Sequence, residues 1–251
     1  MCRHIAYTGR PRALAELLVR PAHGLLRQSW APRHQRHGTV NADGFGVGWY
    51  ADGDPLPARY RRAGPIWGDL SFADLARVVR SGTVLAAVRD ATEAGADGEA
   101  AAAPYSFGPW LFSHNGAVPA WTTALAPLAR ALPTADLLGL EARCDAALLW
   151  ALVLRRLREG DAVGQALADT VREVAAHAPH SRLNLLLTDG ETVAATAWGD
   201  SLWTRFEPGA LAVLASEPYD DDPRWRAVPD RTLVVATRAD ILLSPLKEPP
   251  A

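Results

Sequence analysis

Leu183-Asn184-Leu185-Leu186-Leu187-Thr188-Asp189-Gly190-Glu191-Thr192-Val193-Ala194-Ala195-Thr196-Ala197-Trp198 is the stretch whose reading decides the fold. Apolar and β-branched residues flank Asp189-Gly190, and a glycine there accepts the positive φ of a tight hairpin turn. Residues 183–188 are therefore expected to fold back on 192–198. A link this short forces an antiparallel pair, because parallel strands need a long crossover. The segments 201–206, 211–216 and 232–237 continue the same short apolar rhythm. On the N-terminal side the period lengthens to that of helices. One helix is expected to begin near Cys144-Asp145, with Ala147, Leu148, Ala151, Leu152 and Leu157 on its apolar face and Arg155, Arg156 and Arg158 in its last turns. A second runs from about Ala162 to Ala176.

The N-terminal half returns to strands. Residues 3–8 read as a strand before the basic turn Gly9-Arg10-Pro11-Arg12. A short helix with Leu14, Leu17 and Leu18 ends before Pro21, and 29–43 is a polar, proline-broken loop. Asn41-Ala42-Asp43-Gly44-Phe45-Gly46-Val47-Gly48-Trp49-Tyr50 puts three glycines on one face of an extended strand, a face against which a backbone or a ligand can lie directly. Residues 58–62 pair with it. Asp69 or Ser71 caps a helix carrying Leu75, Val78 and Val79. Two apolar strands follow. Thr83–Val88 runs into Arg89-Asp90-Ala91-Thr92, and Trp110–Ser113 into His114-Asn115-Gly116. The Gly/Ala-rich stretch 93–106 reads as a mobile loop, and 120–132 as a helix ending at Pro133. Strands, helices and strands again, with hairpins throughout, predict an α+β fold of mostly antiparallel sheets covered by helices, in a single domain over 2–251.

A net charge of −2 without a basic stripe argues against nucleic acid as a partner. No apolar run is long enough to span a bilayer and no signal-peptide core opens the chain, so no membrane association is expected. Two cysteines, Cys2 and Cys144, make no stapled secreted scaffold, and a reduced cytoplasmic protein is expected. His34-x-x-His37, with His23 nearby, lacks a third ligand at motif spacing, so neither a metal nor a cofactor is expected.

Cys2 is the residue with the sharpest chemistry. Once Met1 is removed, its thiol and a free α-amine with a reference pKa of about 7.7–8.0 stand on one residue, a nucleophile beside its own base. A thiol attacking an amide needs donors for the developing oxyanion, which the Asn115 side chain and the Gly116 N–H can supply. A substrate carboxylate calls for a bidentate arginine such as Arg89, and a substrate ammonium for an anion such as Asp145. Singly, each has a structural explanation: a hairpin turn for Asn115-Gly116, a surface ion pair for Arg89, a helix cap for Asp145.

Cys2, the DGFGVGWY strand, Arg89-x-x-Thr92, His114-Asn115-Gly116 and Asp145, in this order, resemble the class II glutamine amidotransferase family of N-terminal nucleophile hydrolases. The resemblance implies a four-layer αββα sandwich. It implies Cys2 as nucleophile, Asn115 and Gly116 as oxyanion hole, Arg89 with Thr92 on the α-carboxylate of a glutamyl group, and Asp145 on its α-ammonium, with His114 also at the substrate. Many relatives carry tryptophan after the arginine and histidine after the threonine, where this chain has Asp90 and Glu93. Among stand-alone members the chain is most similar to the γ-glutamyl amidohydrolases of ergothioneine biosynthesis, on NADGFGVGWY, FSHNG, NLLLTDG and the late ASEPYDDDPRWRAVPD segment. That implies hydrolysis of the γ-glutamyl amide of a hercynylcysteine S-oxide conjugate, a small-molecule substrate. Its trimethylammonium group would suit an aromatic wall drawn from Trp30, Trp67, Trp110 or Trp121, with Asp43 or Glu93 sharing the charge. The alternatives are a glutaminase-type subunit passing ammonia to a separate synthetase, a catalytically silent γ-glutamyl-binding protein, and a redox pair of Cys2 with Cys144.

Overall fold

The structure, a computed structural model, describes residues 2–91 and 98–247. Two antiparallel sheets lie face to face. Across the first, seven-stranded sheet the order is β11 (Arg226–Ala227), β9 (Trp203–Glu207), β10 (Leu211–Ala215), β1 (Arg3–Ala13), β4 (Arg80–Val88), β2 (Phe45–Trp49) and β3 (Ala58–Arg62). Across the second, six-stranded sheet it is β13 (Ile241–Pro245), β12 (Thr232–Ala236), β8 (Val193–Ala197), β7 (Arg182–Thr188), β6 (Trp110–Ala117) and β5 (Tyr105–Phe107). The β7–β8 hairpin forms with Leu186 opposite Ala195, and Gly190 at its turn takes a φ of 99°. The Asp189 carboxylate accepts the N–H groups of Glu191 and Thr192 and closes the turn.

Three apolar layers hold these sheets. Ala6, Leu85, Leu111, Leu186, Ala195 and Leu214 fill the space between them. Helices Asp145–Arg158 and Val163–His177 cover the outer face of the second sheet, where Phe112 stacks on Trp150 at 5.3 Å. Short helices Leu14–Leu18, Leu25–Gln28 and Leu70–Val78 cover the first sheet through Leu17, Leu18, Phe45, Phe72 and Val84. The result is a four-layer αββα sandwich. Among the described residues no helix is long and apolar enough to cross a membrane.

The glycine strand β2 is packed by the protein itself. A Cβ on Gly46 would meet the Ala103 carbonyl oxygen at 2.3 Å, and one on Gly48 the Leu111 side chain at 2.6 Å. The segment pressed against it belongs to the stretch read as a mobile loop. Its described part carries a 3-10 turn, Gly98–Ala101, that buries Ala101, followed by buried Ala102 and the strand β5. Composition misled here because small residues are also what close backbone packing requires. Other boundaries shift as well. β1 continues through the expected turn at 9–12 with an irregular register, because β4 pairs with it on the far side as well. The stretch 120–132 forms two short helices, Trp121–Ala124 and Ala126–Arg130. Asp69 does cap its helix, accepting the Phe72 N–H at 3.1 Å. The face that this helix buries, however, is Phe72 and Ala76, while Val78 is exposed.

Candidate functional site

Cys2 precedes the first residue of β1, a central strand, and Arg89 follows the last residue of its neighbour β4; Arg3 lies opposite Val88. The pairing therefore delivers nucleophile and arginine to the same edge of the first sheet. The Arg89 backbone is held by Gly44 and Asp43, its N–H donating to the Gly44 carbonyl at 2.8 Å and its carbonyl accepting the Asp43 N–H at 2.9 Å. Its guanidinium donates to the Asp43 carbonyl at 3.0 Å. The Asp43 carboxylate accepts the Ala91 N–H at 2.8 Å, which uses that side chain to fix the turn after Arg89. Thr92 and Glu93 lie outside the described residues.

From the second sheet, β6 brings His114, Asn115 and Gly116 to this edge. Asp145 opens the helix Asp145–Arg158, and its Oδ2 accepts the Val118 N–H at 2.9 Å. A carboxylate in the first helical turn also faces the positive end of the helix dipole. Cys2, Arg89, His114, Gly116 and Asp145 together line a cavity of about 300 Å³, the low end of small-molecule sites. Asn115, between His114 and Gly116 on β6, does not itself line the cavity. It is fully buried between the sheets, its Nδ2 3.3 Å from Ser216 Oγ.

The cavity wall explains why residue 116 is glycine. A Cβ there would stand 2.0 Å from the Arg182 carbonyl oxygen and 2.7 Å from His114 Nε2. His114 Nε2 is 3.0 Å from the same carbonyl and donates to it. In the neutral ring this leaves Nδ1 as an acceptor, 3.9 Å from Asp145 Oδ2. Two acceptors converging on one spot suit an ammonium group.

Burial pushes the Cys2 thiol up, while the chain's amino-terminal charge, a hydrogen bond with the Asp90 backbone and the Arg89 guanidinium pull it back down. An external base is needed to ionise such a thiol, which is the part the α-amine can play. Cys144 also lines the cavity, its Sγ 3.3 Å from the Tyr105 hydroxyl, and the two cysteines are unpaired.

Local sequence patterns do not reveal the charge network under the nucleophile. Arg3 Nε donates to the Cys2 carbonyl at 2.9 Å, and its guanidinium lies 3.9 Å from the Glu217 carboxylate; both side chains are fully buried. Glu217 in turn accepts the N–H groups of Arg33 and His34, tying the polar loop to this buried pair. The partners are distant in sequence, so no spacing rule finds them; only Ser216-Glu217 inside the ASEPYDDD segment is visible locally. The loop histidines go separate ways, His34 against the Trp203 ring and His23 facing Asp221. Of the tryptophans considered, Trp121 lines the cavity, whereas Trp30 and Trp67 pair edge-to-face elsewhere on the surface. Trp121 is placed there by Ala120, which takes a left-handed φ of 50° at a cost of about 1 kcal/mol.

His4 gives a pH prediction. It is buried between the sheets with Nδ1 3.2 Å from Ser113 Oγ, and burial, then Arg3 and His114, lower its pKa to about 3. Between its unfolded value of about 6.5 and that folded value, the unfolded chain binds a proton that the folded one refuses. Stability is thus unaffected above about pH 6.5 and falls with pH below it, by about 2 kcal/mol at pH 5. Urea denaturation at pH 7.5 and 5.0 should show this loss in the wild type and a smaller one in His4→Gln. Equal losses in both would remove His4 as the cause.

Comparison with known proteins identifies the family. Residues 25–208 match the family model of the class II glutamine amidotransferases. The chain belongs to that family. It is 44% identical over 246 residues to the gamma-glutamyl-hercynylcysteine sulfoxide hydrolase of Mycolicibacterium smegmatis, covering 98% of this chain and 100% of that one. Among solved structures, a class II glutamine aminotransferase domain protein from Silicibacter pomeroyi superposes with a TM-score of 0.69 at 24% identity, covering 98% of this chain and 100% of that one. The glutamine phosphoribosylpyrophosphate amidotransferase of B. subtilis superposes with a TM-score of 0.65 at 17% identity over 98% of this chain and 49% of that one.

Proposed function

We infer that the protein hydrolyses the γ-glutamyl amide of γ-glutamyl-hercynylcysteine S-oxide, releasing glutamate and hercynylcysteine S-oxide in ergothioneine biosynthesis. The end-to-end match to the mycobacterial hydrolase carries the substrate. The gathering of Cys2, Arg89, Gly116 and Asp145 around one cavity supports the chemistry. The chain from Cys2 onward acts as one domain, and two unpaired cysteines fit a cytoplasmic setting.

The substrate's glutamyl end is anchored at both charges. Arg89 holds the α-carboxylate, and Asp145, with His114 Nδ1, receives the α-ammonium. This places the γ-carbonyl at Cys2. The α-amine of mature Cys2 takes the thiol proton, and sulfur attacks the carbonyl carbon. The oxyanion is met by the Gly116 N–H and the Asn115 amide, each such donor contributing about 10²–10³-fold in rate. The tetrahedral adduct collapses, the carbon–nitrogen bond breaks, and the α-ammonium returns its proton to the departing amine. A γ-glutamyl thioester remains on Cys2. Water, deprotonated by the same amine, attacks the thioester and frees glutamate and the thiol. The leaving amine is itself the product, so no ammonia tunnel to a synthetase is required.

Trp121 at the cavity wall is assigned to the trimethylammonium end, where a cation over an aromatic face gains about 0.5–2 kcal/mol. Steady-state kinetics with the conjugate and with glutamine check both assignments. The conjugate is expected to have the higher kcat/KM by at least about tenfold. Trp121→Ala should raise KM for the conjugate about three- to tenfold and leave glutamine turnover unchanged. Preference for glutamine would instead point to an ammonia-supplying subunit.

A further inference from the structure

Ser216 is fully buried just after β10, between His4 and Asn115, and its hydroxyl has two neighbours. The His4 backbone N–H donates to Oγ at 3.0 Å. The Asn115 amide approaches through Nδ2 at 3.3 Å, while Asn115 Oδ1, also buried, has no hydrogen-bond partner. Two donors converge on one hydroxyl, whose own proton reaches no acceptor among the described residues. A buried carbonyl oxygen is at the same time left without a donor. Both defects share one remedy. The two ends of an amide have nearly the same shape, so the hydrogen-bond network decides which end is oxygen. Because the His4 N–H already occupies Oγ as an acceptor, the hydroxyl proton is free to donate, and it satisfies Oδ1 if the amide is turned by half a revolution. Nδ2 then takes the position that has no protein partner.

We propose that Ser216 is a positioning residue that locks the Asn115 amide with its oxygen toward the protein interior and its NH₂ group free for the substrate oxyanion. The His4 N–H fixes the hydroxyl rotor, the hydroxyl fixes the amide, and the amide meets the charge that develops on the γ-carbonyl oxygen. His4 and Cys2 are two residues apart on the strand that carries the nucleophile, so the same segment aims the thiol and, through Ser216, the oxyanion donor. Without Ser216 the amide has no reason to prefer the productive orientation. In the other orientation it would turn a carbonyl oxygen toward the oxyanion. This assignment deepens the reading of Asn115 as an oxyanion donor and rests on it.

A double-mutant cycle tests the coupling, with circular dichroism confirming the fold of each variant. It is read with glutamine as well as the conjugate, so that an error in the leaving group does not disguise the result. Ser216→Ala is expected to lower kcat about 10- to 100-fold with KM within about twofold, because the amide acts on the transition state. Asn115→Ala should lower kcat about 10²–10³-fold. The double variant should be no slower than Asn115→Ala alone. Wild-type kcat in Ser216→Ala, or additive losses in the double variant, would overturn the proposal. Should Ser216→Ala fail to fold, the wild type decides by NMR. The Asn115 side-chain NH₂, assigned by its disappearance in Asn115→Asp, should show no NOE to the His4 amide proton or to Ser216 Hβ. Strong NOEs to either would place Nδ2 against Ser216 and reverse the assignment. Inactivity of wild type toward the conjugate, with the NMR result as expected, would refute the substrate and leave this assignment standing.

Discussion

Cys2→Ala is expected to lower kcat/KM for γ-glutamyl substrates by at least about 10⁴-fold, the scale on which losing a covalent nucleophile acts when its partners remain. The fold should survive. Cys2 precedes β1 and lines the cavity, so truncating it leaves the strand pairings of Arg3 to Val88 and Ile5 to Ala215 intact. Glutamate binding should also persist, because Arg89 and Asp145 come from other elements. Calorimetric titration of Cys2→Ala with glutamate, beside the kinetics, separates loss of chemistry from loss of the site. Full hydrolysis by the variant would end the covalent mechanism. The same mechanism requires that Met1 be gone, since an acylated nitrogen is no base. An intact mass of the active protein should therefore be lower by one methionine residue. Full activity with Met1 retained would exclude the α-amine.

Gly116→Ala should be nearly as damaging for a different reason. The added Cβ would stand 2.0 Å from the Arg182 carbonyl oxygen, a backbone atom that cannot rotate away. β6 would have to withdraw from β7 where Gly116 faces Leu183 and Ala117 faces Arg182. Three features then move together: the Gly116 N–H, the His114 hydrogen bond to Arg182, and the Val118 N–H contact that holds Asp145. Loss of one oxyanion donor alone costs about 10²–10³-fold in kcat. Overpacking adds about 1–3 kcal/mol of lost stability. Stopped assays with urea denaturation on the same preparation check both parts. A fully active Gly116→Ala would mean that this N–H does not serve the oxyanion.

The parts legible in sequence were those with a local cause. The Asp189-Gly190 hairpin, the Asp69 cap and the helix opening at Asp145 each follow from a few adjacent residues. The glycines at 46 and 48 announced a close approach, but their spacing does not say to what. The structure answers with Ala103, from a stretch whose composition suggested mobility, and with Leu111 of β6. Arg89, His114-Asn115-Gly116 and Asp145 could be picked out as reactive types at strand and helix ends. Whether they face one another depends on pairings between residues far apart in the chain, which no local pattern encodes.

Sequence alone determined the antiparallel sheets, the helix pair that covers one of them, and the presence of a nucleophile that can carry its own base. These follow from period, turn chemistry and the position of Cys2. Tertiary structure decided which residues share the site. β1 places Cys2 beside Arg89 by pairing with β4, and brings His4 to Ser216 at the end of its other partner, β10. The second sheet then lays Asn115 over that same serine. Arg3 with Glu217, and Ser216 with Asn115, are contacts between buried polar groups that become meaningful only when water is excluded. Burial is a property of the assembled layers, and that is why the donors and charges supporting Cys2 could not be read from the residues around it.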